Sequence, residues 1–162
     1  MKISAQEEYG LRCLLQLAYL NAGESLTLSQ IAEREGISVA HAGKLLWILN
    51  KARLVQSTRG TKGGYQLARP AAYIHLSEVI KVLDEDEVKS HCSSYTGVMD
   101  VCVHSGGCGI RPVIVGLHEV VQDALSKITL AQLVGTEECV DQTIHQIQRL
   151  HPRVASDVYE SA

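Results

Sequence analysis

Three of the chain's five cysteines fall in one short segment, Cys92-x9-Cys102-x5-Cys108, among Gly97, Gly106, Gly107 and Gly109. Thiolates are ligands for soft and borderline metals, and three from one flexible loop can converge on a single centre. Structural zinc usually draws on C-x2–4-C pairs, and this segment has none. The wider spacing suits an iron–sulfur cluster, which is larger than one ion. The glycines would let backbone N–H groups approach its sulfides. Free buried thiols and a redox-switched disulfide stay open as readings of the same spacing. Three cysteines leave one coordination position for His91, His104, Asp100 or an acid from elsewhere. Cys13 and Cys139 sit in helical patterns and read as ordinary packing residues.

A second chemistry lies in the distribution of charge. The net charge is −3, which taken alone argues weakly against nucleic acid. Yet residues 1–75 carry nine Lys/Arg and five Asp/Glu, for +4, and residues 76–162 carry six and thirteen, for −7. Between Arg34 and Arg69, seven basic residues face one acid, Glu35. A local basic patch on an acidic protein is the electrostatic footprint of a polyanion-binding surface.

The elements that must carry this patch can be read from caps and periodicity. Ser4 with Glu7 forms a capping box. Leu11, Leu14, Leu15 and Ala18 then give a helical stripe, ended by Asn21-Ala22-Gly23. Thr27 with Gln30 caps a second, short helix through Ile31 and Ala32, which stops at Gly36. Ser38 caps a third helix with Ala42, Leu45, Leu46 and Leu49 as its buried side. Its outer side carries Ala40, Lys44, Trp47 and Lys51, with His41 on the flank. Two helices joined by a short Gly-containing turn make a helix-turn-helix, and the second is its recognition helix. Two strands follow, Leu54–Thr58 and Tyr65–Ala68. They flank Arg59-Gly60-Thr61-Lys62-Gly63-Gly64, whose glycines permit positive φ. This basic hairpin is a wing, with Arg59 and Lys62 placed for phosphates or the minor groove. Ser38, His41 and Lys44 are the candidates for base edges.

The second half begins with a short helix, Leu76 to Leu83, followed by the acidic run Asp84-Glu85-Asp86-Glu87. After the cysteine segment, Pro112 suits the first turn of a long helix. There Ile114, Leu117, Val121, Ala124 and Ile128 alternate at three and four residues, a heptad-like seam. One such seam needs a partner, and a second copy of the chain is the simplest one. A turn with Thr129, Leu130 and Leu133 follows, then a helix over Glu137 to Leu150 with Val140, Ile144 and Ile147 on one side. The expected fold class is mainly α with a small β wing: a winged helix-turn-helix domain plus a long dimerisation helix. The expected layout is residues 1–83 for DNA binding and 84–110 for the cysteine loop. Residues 111–135 hold the dimerisation helix and its turn, and 136–162 a terminal helix and tail.

The chain has 162 residues and no Phe, so it expects one domain, or one with an appendage, around an aliphatic core. No run of about 18 apolar residues crosses a membrane, and the polar, acidic start lacks a secretory signal. The expected compartment is the cytoplasm. No Ser-His-Asp pattern, phosphate loop or H-E-x-x-H motif suggests an enzyme.

Leu28-Ser29-Gln30-Ile31-Ala32, Gly36-Ile37-Ser38, Leu45 to Leu49, Leu54-Val55 and the wing from Arg59 to Arg69 together closely resemble the BadM/Rrf-type winged-helix regulators. That family includes iron–sulfur and nitric-oxide sensors. Ile128 to Val134 resembles the family's segment after the dimerisation helix, so the likeness covers about residues 1–135. It implies a homodimeric transcription regulator on a palindromic DNA operator. By the same likeness Cys92, Cys102 and Cys108 hold an iron–sulfur cluster, 2Fe–2S or 4Fe–4S, with Glu8 as fourth ligand. The family's usual first gap is shorter. Where some relatives have a ligating His after the third cysteine, Arg111 stands here. Gly43 also departs from several relatives and removes a side chain from the recognition helix. The alternatives are a clusterless regulator of the same fold that senses oxidants through thiols and, in another class, a small metal- or cluster-carrying redox protein.

Overall fold

The computed structural model describes residues 3–58, 63–84, 102–104 and 107–150, with side chains to 146. Helices α1 (Ala5–Ala18), α2 (Leu28–Glu35) and α3 (Val39–Lys51) lead into an antiparallel pair, β1 (Val55–Thr58) and β2 (Gly64–Leu67). A 3-10 turn at Ala71–Tyr73 leads to α4 (Leu76–Leu83). Helix α5 (Ile110–Ser126), a 3-10 turn at Leu130–Leu133 and α6 (Glu137–Leu150) complete the described chain. The fold class is therefore the expected one, mostly helical with a two-stranded wing.

The helix starts form as the side chains dictate. Ser4 accepts from the Glu7 N–H while the Glu7 carboxylate accepts from the Ser4 N–H at 2.6 Å, a complete capping box. Thr27 and Gln30 repeat it on α2, and Ser38 accepts from the His41 N–H at the start of α3. Gly36 closes α2 at φ 63°, and the Ile37 amide donates back to Ala32 at 3.0 Å. The end of α3 uses the same hydrogen bonds, Arg53 to Asn50 and Leu54 to Leu49, at 2.9 Å each. Here the left-handed residue is Arg53, φ 59°, where glycine is the usual occupant.

The core joins Cys13, Leu14 and Leu17 of α1 to Ile31, to Leu45, Leu46 and Leu49 of α3, and to Val79 and Leu83 of α4. All four residues expected on the inner side of α3 are buried. The stripe expected on α1 is rotated. Of it only Leu14 is buried, while Leu11, Leu15 and Ala18 lie half-buried at the margin and Gly10, Cys13 and Leu17 face inward. The reason is the close approach of α4: a Cβ on Gly10 would lie 2.5 Å from Leu83 Cδ1. The smallest residue of α1 thus marks its most crowded side. The helix also ends at Ala18, before the expected stop at Asn21-Ala22-Gly23.

The turn after α5 is fastened to the first domain. Leu130 is fully buried in the core, its amide donates to Ile74 at 2.8 Å, and the Leu76 amide donates to Ile128 at 2.9 Å. Cys139, expected to pack, is exposed. Among the side chains described on α6, Val140, Thr143 and Ile144 are half-buried, so Cys139 falls just outside its contact face. Ile147, expected on that face, lies outside the described side chains.

Candidate nucleic-acid interface and cysteine segment

Burying Ala42, Leu45, Leu46 and Leu49 turns the opposite side of α3 outward, with Ile48 half-buried at the margin. Val39, Ala40, Lys44, Trp47 and Lys51 are all exposed, Trp47 by 64%. The Lys51 ammonium sits 5.4 Å from the centroid of the Trp47 ring, a cation–π contact that holds the indole along the helix. Of the candidates for base edges, Ser38 is exposed with its Oγ engaged as the cap, and Lys44 is exposed. The His41 ring packs edge-on against Tyr9 of α1, centroids 5.8 Å apart, and is half-buried. Arg34 and Arg53 add exposed charge nearby in sequence. Arg69 is engaged at the base of the wing, where it pairs with Glu78 and donates to the Tyr73 carbonyl.

The wing is tied to the helix-turn-helix by a pairing that the sequence does not announce. Leu26, just before α2, and Tyr65 in β2 exchange both backbone hydrogen bonds, at 3.1 and 2.7 Å. The Thr58 hydroxyl also accepts from the Gly64 amide, closing the described ends of the hairpin. Arg59 and Lys62, the expected phosphate contacts, lie outside the described residues. A single bridging residue such as Leu26 has no periodicity of its own. Its only signal was the glycine at position 64.

Of the three clustered cysteines, Cys102 and Cys108 are half-buried free thiols and Cys92 lies outside the described residues, as do His91 and Asp100. Between the two thiols the Gly107 amide donates to the His104 carbonyl at 3.2 Å. Among the described residues no three metal-ligating side chains come together. The two half-buried thiols beside glycines are the donor type that a thiophilic iron site uses. Glu8 is half-exposed, and its carboxylate accepts from the Arg12 guanidinium at 2.8 Å. To serve as a ligand it would first exchange that partner. Cys13 is the opposite of a reactive thiol. Burial, with the nearby negative Glu35 adding to it, pushes its pKa up to about 12.

Helix α5 has no buried residue. Its outward side carries Ile110, Val113, Leu117 and Val120, 59 to 68% exposed. With exposed Ala124 they repeat at three and four residues along one side of the helix. The seam expected from sequence shares Leu117 and Ala124 with this stripe. Ile114 is exposed as well. Val121, on a helix that packs against α4, and Ile128, past its end where its carbonyl accepts from the Leu76 amide, are half-buried.

A sequence profile of the Rrf2 family, described as iron-dependent transcriptional regulators, matches residues 3–136. The chain is 30% identical over 162 residues to the HTH-type transcriptional regulator IscR of Escherichia coli O1:K1 / APEC, covering 98% of each. Among solved structures, IscR of T. potens superimposes with a TM-score of 0.65 at 29% identity, over 83% of this chain and 86% of that one. Staphylococcus aureus CymR in its oxidized form gives 0.63 at 29% identity, over 84% of this chain and 98% of that one.

Proposed function

The chain belongs to the Rrf2 family of transcriptional regulators, and from that premise we propose that it is a homodimeric, DNA-binding regulator whose operator affinity answers to an iron–sulfur cluster. Its relatives are transcription regulators, not enzymes. The observation that carries DNA binding is α3: one side wholly buried, the other exposed with Lys44, Trp47 and Lys51. In a winged helix this exposed side enters the major groove, and the wing reaches the adjacent backbone. Of the three residues expected at base edges, the Ser38 hydroxyl caps α3 and the His41 ring packs on Tyr9, so Lys44 is the one that extends from this side toward the DNA. Arg59 and Lys62 serve phosphates.

Association through the exposed apolar stripe of α5 sets two recognition helices for a palindromic operator. Residues 1–83, 84–110, 111–135 and 136–162 then act as DNA-binding unit, cysteine loop, dimerisation helix with its turn, and terminal helix. The reading places the protein in the cytoplasm, beside DNA. Among the described residues no helix is long and apolar enough to cross a membrane.

Cys92, Cys102 and Cys108 with Glu8 would hold the cluster, which supplies a labile, redox-active group when bound. The chain's own part is to present three thiolates and one harder carboxylate. Such a mixed set binds iron less firmly than four thiolates, which suits sensing. Glu8 lies in the first turn of α1, so a bond from it to the loop would link cluster state to the domain bearing α3.

A second reading has support of its own: Cys102 and Cys108 are accessible free thiols, and the similar S. aureus CymR has been solved in an oxidized form. The experiment is the visible spectrum of anaerobically purified protein, followed by duplex binding across a salt series. The cluster reading expects a brown protein whose absorbance is abolished by Ala at Cys92, Cys102 or Cys108 and altered by Glu8→Ala. A colourless protein whose DNA binding follows thiol oxidation supports the second reading. The DNA-binding reading expects Arg59→Ala with Lys62→Ala to flatten the salt dependence by about one unit of slope for each phosphate no longer neutralised. An unchanged slope rejects the wing's role in holding phosphates.

A further inference from the structure

The recognition surface of α3 is short of hydrogen-bonding side chains. Along its first turns Val39 is 48% exposed and Ala40 is exposed, and Gly43 carries no side chain. The Ser38 hydroxyl is engaged as a cap and the His41 ring lies against Tyr9. The next outward residue in line is Trp47, 64% exposed. Between Ser38 and Trp47, Lys44 is the one long polar side chain. The N-terminal part of a recognition helix is what meets the base edges, so the surface offered there is largely apolar.

An apolar side chain over a base edge is penalised where it covers a donor or acceptor without replacing the displaced water. In the major groove one group escapes that penalty, the C5-methyl of thymine. We propose that α3 reads sequence through thymine methyl groups, received by Val39, Ala40 and the Trp47 indole. Lys44 and Lys51, on the same stripe as Trp47, pair with the phosphates that flank them. The positive charge concentrated from Arg34 to Arg69 selects a polyanion as the occupant of this apolar stripe. The inference rests on the DNA-binding reading and adds to it the chemical group that is recognised.

The test uses the full-length chain. Duplexes are selected by it from a pool with a randomised 30-bp centre. The best one is then resynthesised with deoxyuridine for thymidine at single positions, which removes one methyl and leaves every hydrogen bond in place. The inference expects losses of about fourfold in affinity for each methyl that the helix buries. The losses should cluster at major-groove positions of each half-site, with an unchanged salt slope. In Val39→Ser and Trp47→Gln chains the same replacement should lose its effect at the matching positions. Trp47 is the only tryptophan, so its emission should also shift to the blue on the selected duplex. Uniform indifference to deoxyuridine with intact, salt-dependent duplex binding overturns this inference and leaves the DNA-binding reading standing. Loss of all salt-dependent duplex binding in the unmodified chain overturns both. A Trp47→Gln chain that keeps full sensitivity to deoxyuridine, or that changes its oligomeric mass instead, removes Trp47 from the reading surface.

Discussion

Leu26 and Tyr65 exchange both backbone hydrogen bonds, 3.1 and 2.7 Å, so the wing and the start of the helix-turn-helix form one unit. The residue before Tyr65 is squeezed by this pairing. A Cβ on Gly64 would lie 2.5 Å from the Leu26 carbonyl oxygen. That neighbour is backbone and cannot rotate away. Gly64→Ala is therefore expected to cost about 1–3 kcal/mol, the usual penalty of overpacking, and to weaken duplex binding by loosening the wing. Urea denaturation and a binding titration measure the two effects. A variant with wild-type stability would mean that the bridge yields freely.

Gly10 faces Leu83 across the α1–α4 contact, with a virtual Cβ 2.5 Å from Leu83 Cδ1. Here the obstacle is a side chain, so the strain should be partly relieved by shortening it. Gly10→Ala is expected to destabilise by about 1–3 kcal/mol and Leu83→Ala by about 2–5 kcal/mol. The double variant should lose less than their sum, because residues in contact couple. Strict additivity would show that the helices simply move apart.

Cys13 has a thiol raised from 9.0 to about 12, chiefly by burial. The unfolded chain gives up this proton first, so between these values it binds fewer protons than the folded one. Folding stability is indifferent to this group below about pH 9. Above it, stability falls by up to about 1.4 kcal/mol per pH unit until the folded value is reached. Other groups also titrate there, so the quantity to measure is the difference in alkaline slope between wild type and Cys13→Ala. Equal slopes would remove Cys13 as the cause. Thiol-labelling reagents should likewise reach Cys13 only on unfolding.

Leu117 is 64% exposed on α5, so an acid there costs the single chain little. Leu117→Asp is expected to give monomers by light scattering and to weaken duplex binding. A fully dimeric Leu117→Asp chain would place the association surface elsewhere.

Local chemistry was legible in the sequence. Ser4 and Glu7, Thr27 and Gln30, Ser38, and Gly36 each interact with backbone within a few residues, so spacing alone determined where α1, α2 and α3 begin and where α2 stops. The inner side of α3 was equally readable, because Lys44 and Lys51 mark the opposite side as the one that faces solvent. The family motif from Leu28 to Arg69 already pointed to a winged-helix regulator, since it too is a local pattern.

What only the tertiary structure decided depends on neighbours distant in the chain. Gly10 rather than Leu11 faces inward on α1 because α4 approaches there, and no local pattern encodes that distance. Leu26 pairs with Tyr65 across about forty residues by backbone alone, where side-chain types carry no information. The stripe left open on α5 is displaced from the seam read in sequence: α5 packs against α4, and Val121 is half-buried while Ile110, Val113 and Val120 stay exposed. Both sides of that helix are apolar, so periodicity could find the helix but not choose which side stays exposed. His41 looked like a base reader from spacing alone, and the fold sets its ring against Tyr9. Side-chain type records what a residue can do. Which of those capacities remains open to a ligand is decided by what packs against it.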